Sequence, residues 1–203
     1  MASETSICNA ALQLIKNSRQ IADRTEGTKE ANACDVIFDE LRDAMLEMHT
    51  WSFAKKRVQL ARISDAPSFG WDYAYELPSD CLRVLGVYDN SDARGKVAYS
   101  LEDGTLMTDA TSIFLTYVRR LADPNQMSAT FRIALSKLLA SRLAVTLTAS
   151  PSLSAEMYKQ FLDQDLPTAK SADSMQAFPK TLPESDWVTC RNSGISDRFD
   201  FTG

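Results

Sequence analysis

The chain is poor in the residues from which most catalytic and metal sites are built. It has one histidine, His49, in 203 residues. A histidine-based zinc site needs a second imidazole. The four cysteines, Cys8, Cys34, Cys81 and Cys190, are too scattered to replace one, and no Cys-x-x-Cys occurs. Only seven glycines are present, with neither G-x-x-x-x-G-K-[ST] nor G-x-G-x-x-G. Phosphate-cradling loops are therefore not expected, and neither cofactor nor metal is assigned. No run of 18 apolar residues exists, so no membrane anchor is expected. The opening MASETSICNAALQLI lacks the basic start of a secretory signal, and reduced thiols in a cytosolic protein are the expectation. A net charge of -5 and a pI near 5.0 leave no basic excess with which to grip nucleic acid.

What the chain does have is helical periodicity at both ends. Ser128 to Ala149 runs without Gly or Pro, with Phe131, Leu135, Leu138, Leu139 and Leu143 at three- and four-residue steps. A helix of that length is roughly 30 Å long. Ile133, Ala140, Ala144, Val145 and Leu147 add apolar atoms on its other sides, which marks a helix buried on several faces. Arg132, Lys137 and Arg142 argue against a membrane span, each costing about 3 kcal/mol near the bilayer centre.

Ser3 to Ser18 reads as a first helix, and Thr28 to Thr50 as an amphipathic second. In the latter, Cys34, Ile37, Phe38, Leu41, Ala44, Met45 and Met48 lie on one side; Asp35, Asp39, Arg42, Asp43 and Glu47 lie on the other. The acids suit a solvated face better than a partner or a magnesium site. Ser150-Pro151 opens a further helix with Leu153, Met157 and Phe161, extending to Pro167.

Between the helical ends the period falls to two. Val58 and Leu60, then Trp71, Tyr73, Tyr75 and Leu77, then Leu82 to Tyr88, then Ser112 to Arg119 read as strands. Asp103-Gly104 between two short strands signals a hairpin. The expected fold is mainly α within the α+β class: a helical bundle from 1–50 and 125–167, an inserted antiparallel β lobe over 51–124, and an extended C-terminal arm over 168–203.

Candidate chemistry is sparse. His49 could serve Cys34 or Cys81 as base in a small cysteine hydrolase, but a ring in the last turn of the second helix also suits the helix dipole. Arg119-Arg120 is the sharpest basic spot and a candidate contact for an acidic partner. In the arm, Phe178, Trp187, Phe199 and Phe201 sit among Ser, Asp and Pro. Burying four aromatics does not offset the entropy of ordering so long a segment, so they read as anchors for another chain.

Several stretches in order resemble the head-to-tail adaptor (connector) proteins of tailed bacteriophages, in particular the tail tubular protein A type of short-tailed phages. They are ICNAALQLI, LEMHTWSFAKKRVQL, Leu77 to Val84, IFLTYVRR with its following Asp-Pro, and FRIALSKLLASRLAVTLT, spanning about residues 3 to 165. The resemblance implies a virion protein without catalysis at the head-tail junction, assembled in the host cytoplasm. It implies self-association into a twelvefold ring beneath the portal protein, a tail nozzle or tail tube protein as the next partner, and genomic double-stranded DNA passing through the channel. A tail-completion or stopper protein is the nearest alternative. A DNA-binding accessory would need a basic face that the sequence does not display.

Overall fold

A computed structural model describes residues 2–17, 19–64, 67–91 and 95–176. Its mainly-α α+β architecture agrees with the expected class. The first helix, α1 (Glu4–Leu14), is shorter than the periodicity suggests. Ser3 and Ser6 form a reciprocal capping box at its start. At its end Lys16 takes a left-handed φ of 60°, and Asn17 N–H reaches back to Leu12 O at 3.0 Å. That turn closes the helix before Ser18 without a glycine. The second helix, α2 (Lys29–Glu47), is capped by Thr28 and ends before His49.

The long helix α3 (Ala129–Thr148) is the central element, and the core of the helical part gathers around it. Ser128 accepts from Phe131 N–H at its start, and Ala149 ends it in a left-handed turn with φ 50°. Ser136 and Ser141 are buried because their hydroxyls bond back to Ile133 O and Leu138 O. Burial is not complete all round, however. Ile133 and Val145 are at least half exposed.

Ser150 then caps α4 (Pro151–Gln160). A π turn, Phe161–Asp165, follows, and α5 (Leu166–Ser174) continues the helix beyond the expected limit at Pro167. The reason is local. Pro167 cannot donate a backbone hydrogen bond and would crowd the carbonyl four residues back. Widening the preceding turn, so that Leu166 N–H bonds to Phe161 O, relieves that clash without ending the helix. Ala169 and Asp173 of α5 are buried, so residues 168–174 belong to the bundle rather than to an extended arm.

The β region forms two small antiparallel sheets. Strands β1 (Lys55–Gln59), β6 (Phe114–Arg119) and β3 (Cys81–Tyr88) make the first, in the order β1-β6-β3. Strands β2 (Tyr73–Glu76), β5 (Thr105–Thr108) and β4 (Ser100–Glu102) make the second, in the order β2-β5-β4. The Asp103-Gly104 hairpin appears as expected. Both residues have positive φ, 46° and 72°, the requirement of a type I′ turn. Tyr75, Leu106, Ile113, Leu115 and Tyr117 fill the space between the sheets.

Candidate interaction surfaces

The acidic side of α2 is exposed at Asp35, Asp39, Glu40 and Glu47, although arginines bind Asp35, Asp39 and Asp43. Ala44 and Met48, expected on the apolar side, are exposed as well, because the core takes up only the narrower stripe through Ala31, Cys34, Phe38 and Met45. Arg42, expected on the outer side, is only 5% exposed and is paired with Asp39 at 2.8 Å and Asp43 at 2.9 Å. Arg24, from the connection between the first two helices, binds Glu4 and Asp35 at 2.5 and 2.8 Å and lies over the Phe38 ring. The spacing of Asp39 and Asp43 would be repulsive in isolation. With an arginine between them it becomes a cross-link. Among the described residues, no group of acids, cysteines and histidine has metal-binding geometry.

Arg119 and Arg120 lie at the end of β6. Arg119 donates to Gln126 at 2.7 Å, while Arg120 binds Asp43 of α2 at 2.7 Å. The acidic partner that Arg120 meets in this structure is therefore in its own chain. Together with the bond from Arg83 to Thr50, it joins the lobe to the bundle. The four aromatic candidates Phe178, Trp187, Phe199 and Phe201 lie outside the described residues.

His49 packs edge-on against Trp51 at 4.9 Å and stands 3.7 Å from Asp173. Its pKa is pushed below the ordinary imidazole value by burial, with Lys170 and Arg83 adding to the shift and Asp173 opposing it. Ser52 also reaches Asp173, its hydroxyl at 2.6 Å and its N–H at 3.0 Å. This trio does not have the arrangement of a catalytic relay. The serine proton points to the carboxylate instead of the imidazole. Asp173 serves rather to fix the Ser52–Ala54 turn against α5.

Neither candidate thiol is placed as a partner for His49. Cys34 is fully buried beside Cys8, whose thiol is pushed far up by the contact with Cys34 and by burial. Cys81 is half-buried, and burial and then Asp80 push it up.

Sequence reasoning overlooked the strongest basic strand. From Trp51 to Ser64 the chain has Lys55, Lys56, Arg57 and Arg62 and no acid, a composition signal that was there to be read. Lys55, Lys56 and Arg57 are exposed on β1, at the edge of its sheet. Lys56 is held by Asp80 at 3.0 Å, which raises its pKa. Burial works against the Asp80 carboxylate, but its bonds from Tyr117 and Lys56 prevail and hold it below its usual value.

The surface clefts are open and modest. The one beside the β2-β5-β4 sheet, about 470 Å³, is lined by Ile63, Phe69, Trp71 and Met107. One of about 360 Å³ lies over Ile133, between α1, α3 and the π turn. Neither gathers a nucleophile with a base. Large apolar side chains are exposed instead on the outer helical faces, Val36 at 76% and Met48 at 43% among them. Compared with known proteins, the chain matches no family model and no curated protein.

Proposed function

We propose that the chain is a structural adaptor of the phage head-to-tail type, associating into a ring under a portal protein and joining it to the next tail component, with DNA passing through the channel. One observation carries this reading above the rest. Both helical ends of the described chain gather around α3, and the β lobe, inserted between α2 and α3, has a small core of its own. That is the layout implied by the resemblance over residues 3 to 165. Apolar side chains exposed on the outer helical faces are consistent with packing against neighbours.

In this reading the aromatic residues after Gln176 are anchors on the portal or on a neighbouring adaptor, and catalysis plays no part. The test is solution mass by light scattering, for the chain alone and after mixing with the portal protein of the same virus. A monomer that joins the portal in a large complex is the expected outcome. A small stable oligomer indifferent to the portal would overturn the reading. Removing residues 178–203 keeps the buried Asp173 in place and is expected to leave the fold intact while weakening portal binding.

A further inference from the structure

Two faces of the molecule, one of them covered by the bundle at one end, are otherwise without a partner within the described fold, and they are complementary. The first is the outer face of α2. Val36, Glu40, Ala44 and Met48, spaced four residues apart, lie in one row with Glu47 beside it, and all five are exposed. The neighbouring acids Asp35, Asp39 and Asp43 are already bound by Arg24, Arg42 and Arg120. Among the described residues, Glu40 and Glu47 enter no ion pair.

The second is the side of the β1-β6-β3 sheet turned away from the lobe core. Register puts Lys55 level with Val118 and Arg83, Arg57 with Thr116 and Gly86, and Gln59 with Phe114 and Tyr88. The alternate residues Val58, Leu115 and Tyr117 face the other way, into the lobe core. Val118 belongs to the helical core, so the first row rests on the bundle. Beyond it the face opens into cations beside half-exposed aromatic rings. Gly86 makes room there, since a Cβ would lie 2.6 Å from the Tyr88 hydroxyl. Lys55 and Arg57 are exposed and, among the described residues, enter no ion pair.

We propose that the α2 face of one copy docks on this sheet face of the next. Glu40 and Glu47 then meet Lys55 and Arg57, while Met48, next beyond Glu47 along the helix, meets Phe114 and Tyr88, which pair in the row beyond Arg57. The occupant is a second copy of this chain because the acid-and-aliphatic face and the cation-and-aromatic face are carried by the same molecule in matching sign and chemistry. The contact is heterologous, joining two different patches, and so propagates to a closed ring or an open filament. Basic residues on an edge strand also deter that edge from pairing with its own copy. Here they do so while favouring an acidic helix. The inference rests on the adaptor reading for the ring and adds to it the surfaces that meet.

The experiment mixes unlabelled and ¹⁵N-labelled full chain, concentrated alone and with the portal protein, and applies a zero-length carbodiimide cross-linker. Mixed-isotope links from Lys55 to Glu40 or Glu47 are expected. Sedimentation of the double variant Lys55→Glu with Arg57→Glu should show self-association weakened about tenfold or more. Adding Glu40→Lys and Glu47→Lys to the same chain should restore it, a rescue that a misfolded variant cannot give. Self-association that ignores the reversals, or links confined to other pairs, overturns the surface assignment and leaves the adaptor reading standing. A chain that never associates, alone or on the portal, overturns both.

Discussion

The helical bundle and the β lobe reach stability by different routes. Among the described residues, 27 buried apolar side chains make up the bundle core, against seven in the lobe. The bundle core is centred on Trp51 and Phe131, whose rings meet edge-on at 5.0 Å, with Phe53 stacked beside them. The lobe core is small and depends on phenols with polar ends. The Tyr75 hydroxyl donates to Ala110 O at 2.7 Å and that of Tyr117 to Asp80 at 2.8 Å. A helix packed on several sides gains from every neighbour. Two three-stranded sheets enclose little volume and must also satisfy their buried polar atoms. The difference suits a rigid body carrying a more adaptable lobe.

The comparison can be broken most sharply at Phe131. Phe131→Ala removes a fully buried ring from the centre of the bundle and is expected to cost about 3–5 kcal/mol. Chemical denaturation should show this as a fall in global stability, and a loss confined to one lobe would contradict the picture. Leu106→Ala acts in the lobe, where a small core relaxes more easily, and should cost about 2–3 kcal/mol, near the lower end for such truncations. Hydrogen exchange should speed up in β4 and β5 while amides of α3 stay protected. Equal acceleration in α3 would mean that the lobe is no separate unit.

The smallest effect concerns the junction. The His49 pKa is depressed in the fold, chiefly by burial. Between the folded value and the unfolded value near ~6.5, the unfolded chain binds more protons. This residue therefore costs no stability above about pH 6.5 and lowers stability progressively as pH falls through that value towards the folded pKa. His49→Gln should flatten this part of the stability profile between pH 7.5 and 5.5. An unchanged slope would assign the acid sensitivity to other groups.

Much of the fold was legible because its signals are local. The apolar rows of α2 and α3, the caps Thr28, Ser128 and Ser150, and the Asp103-Gly104 turn each operate within a few residues. Errors arose where a local pattern was overruled from a distance. Arg42 alternates with acids as a surface residue would, but the carboxylates of Glu4, Asp39 and Asp43 gather around it and it is buried. Residues 168–174 look like loop, with Ser, Asp and a preceding Pro, yet Asp173 is held by Ser52, 121 residues away. The candidate surfaces were half legible. Arg119 and Arg120 were singled out, but nothing local reveals that Asp43 takes Arg120. The Lys55-Lys56-Arg57 run was visible in the sequence, whereas its place on an uncovered sheet edge was not.

The sequence by itself determined where most helices and strands lie, where several of the helices begin, and the division into helical ends and a β insert. These follow from periodicity and capping, interactions that reach no further than a turn or two. Only the tertiary structure decided that six strands split into two sheets, that β1 pairs with β6 across Lys55 and Val118, and that the α2 acids are bound by arginines of the same chain. Those outcomes depend on which segments meet in space. That choice is made by the competition of many weak long-range contacts, and no short stretch of sequence encodes it.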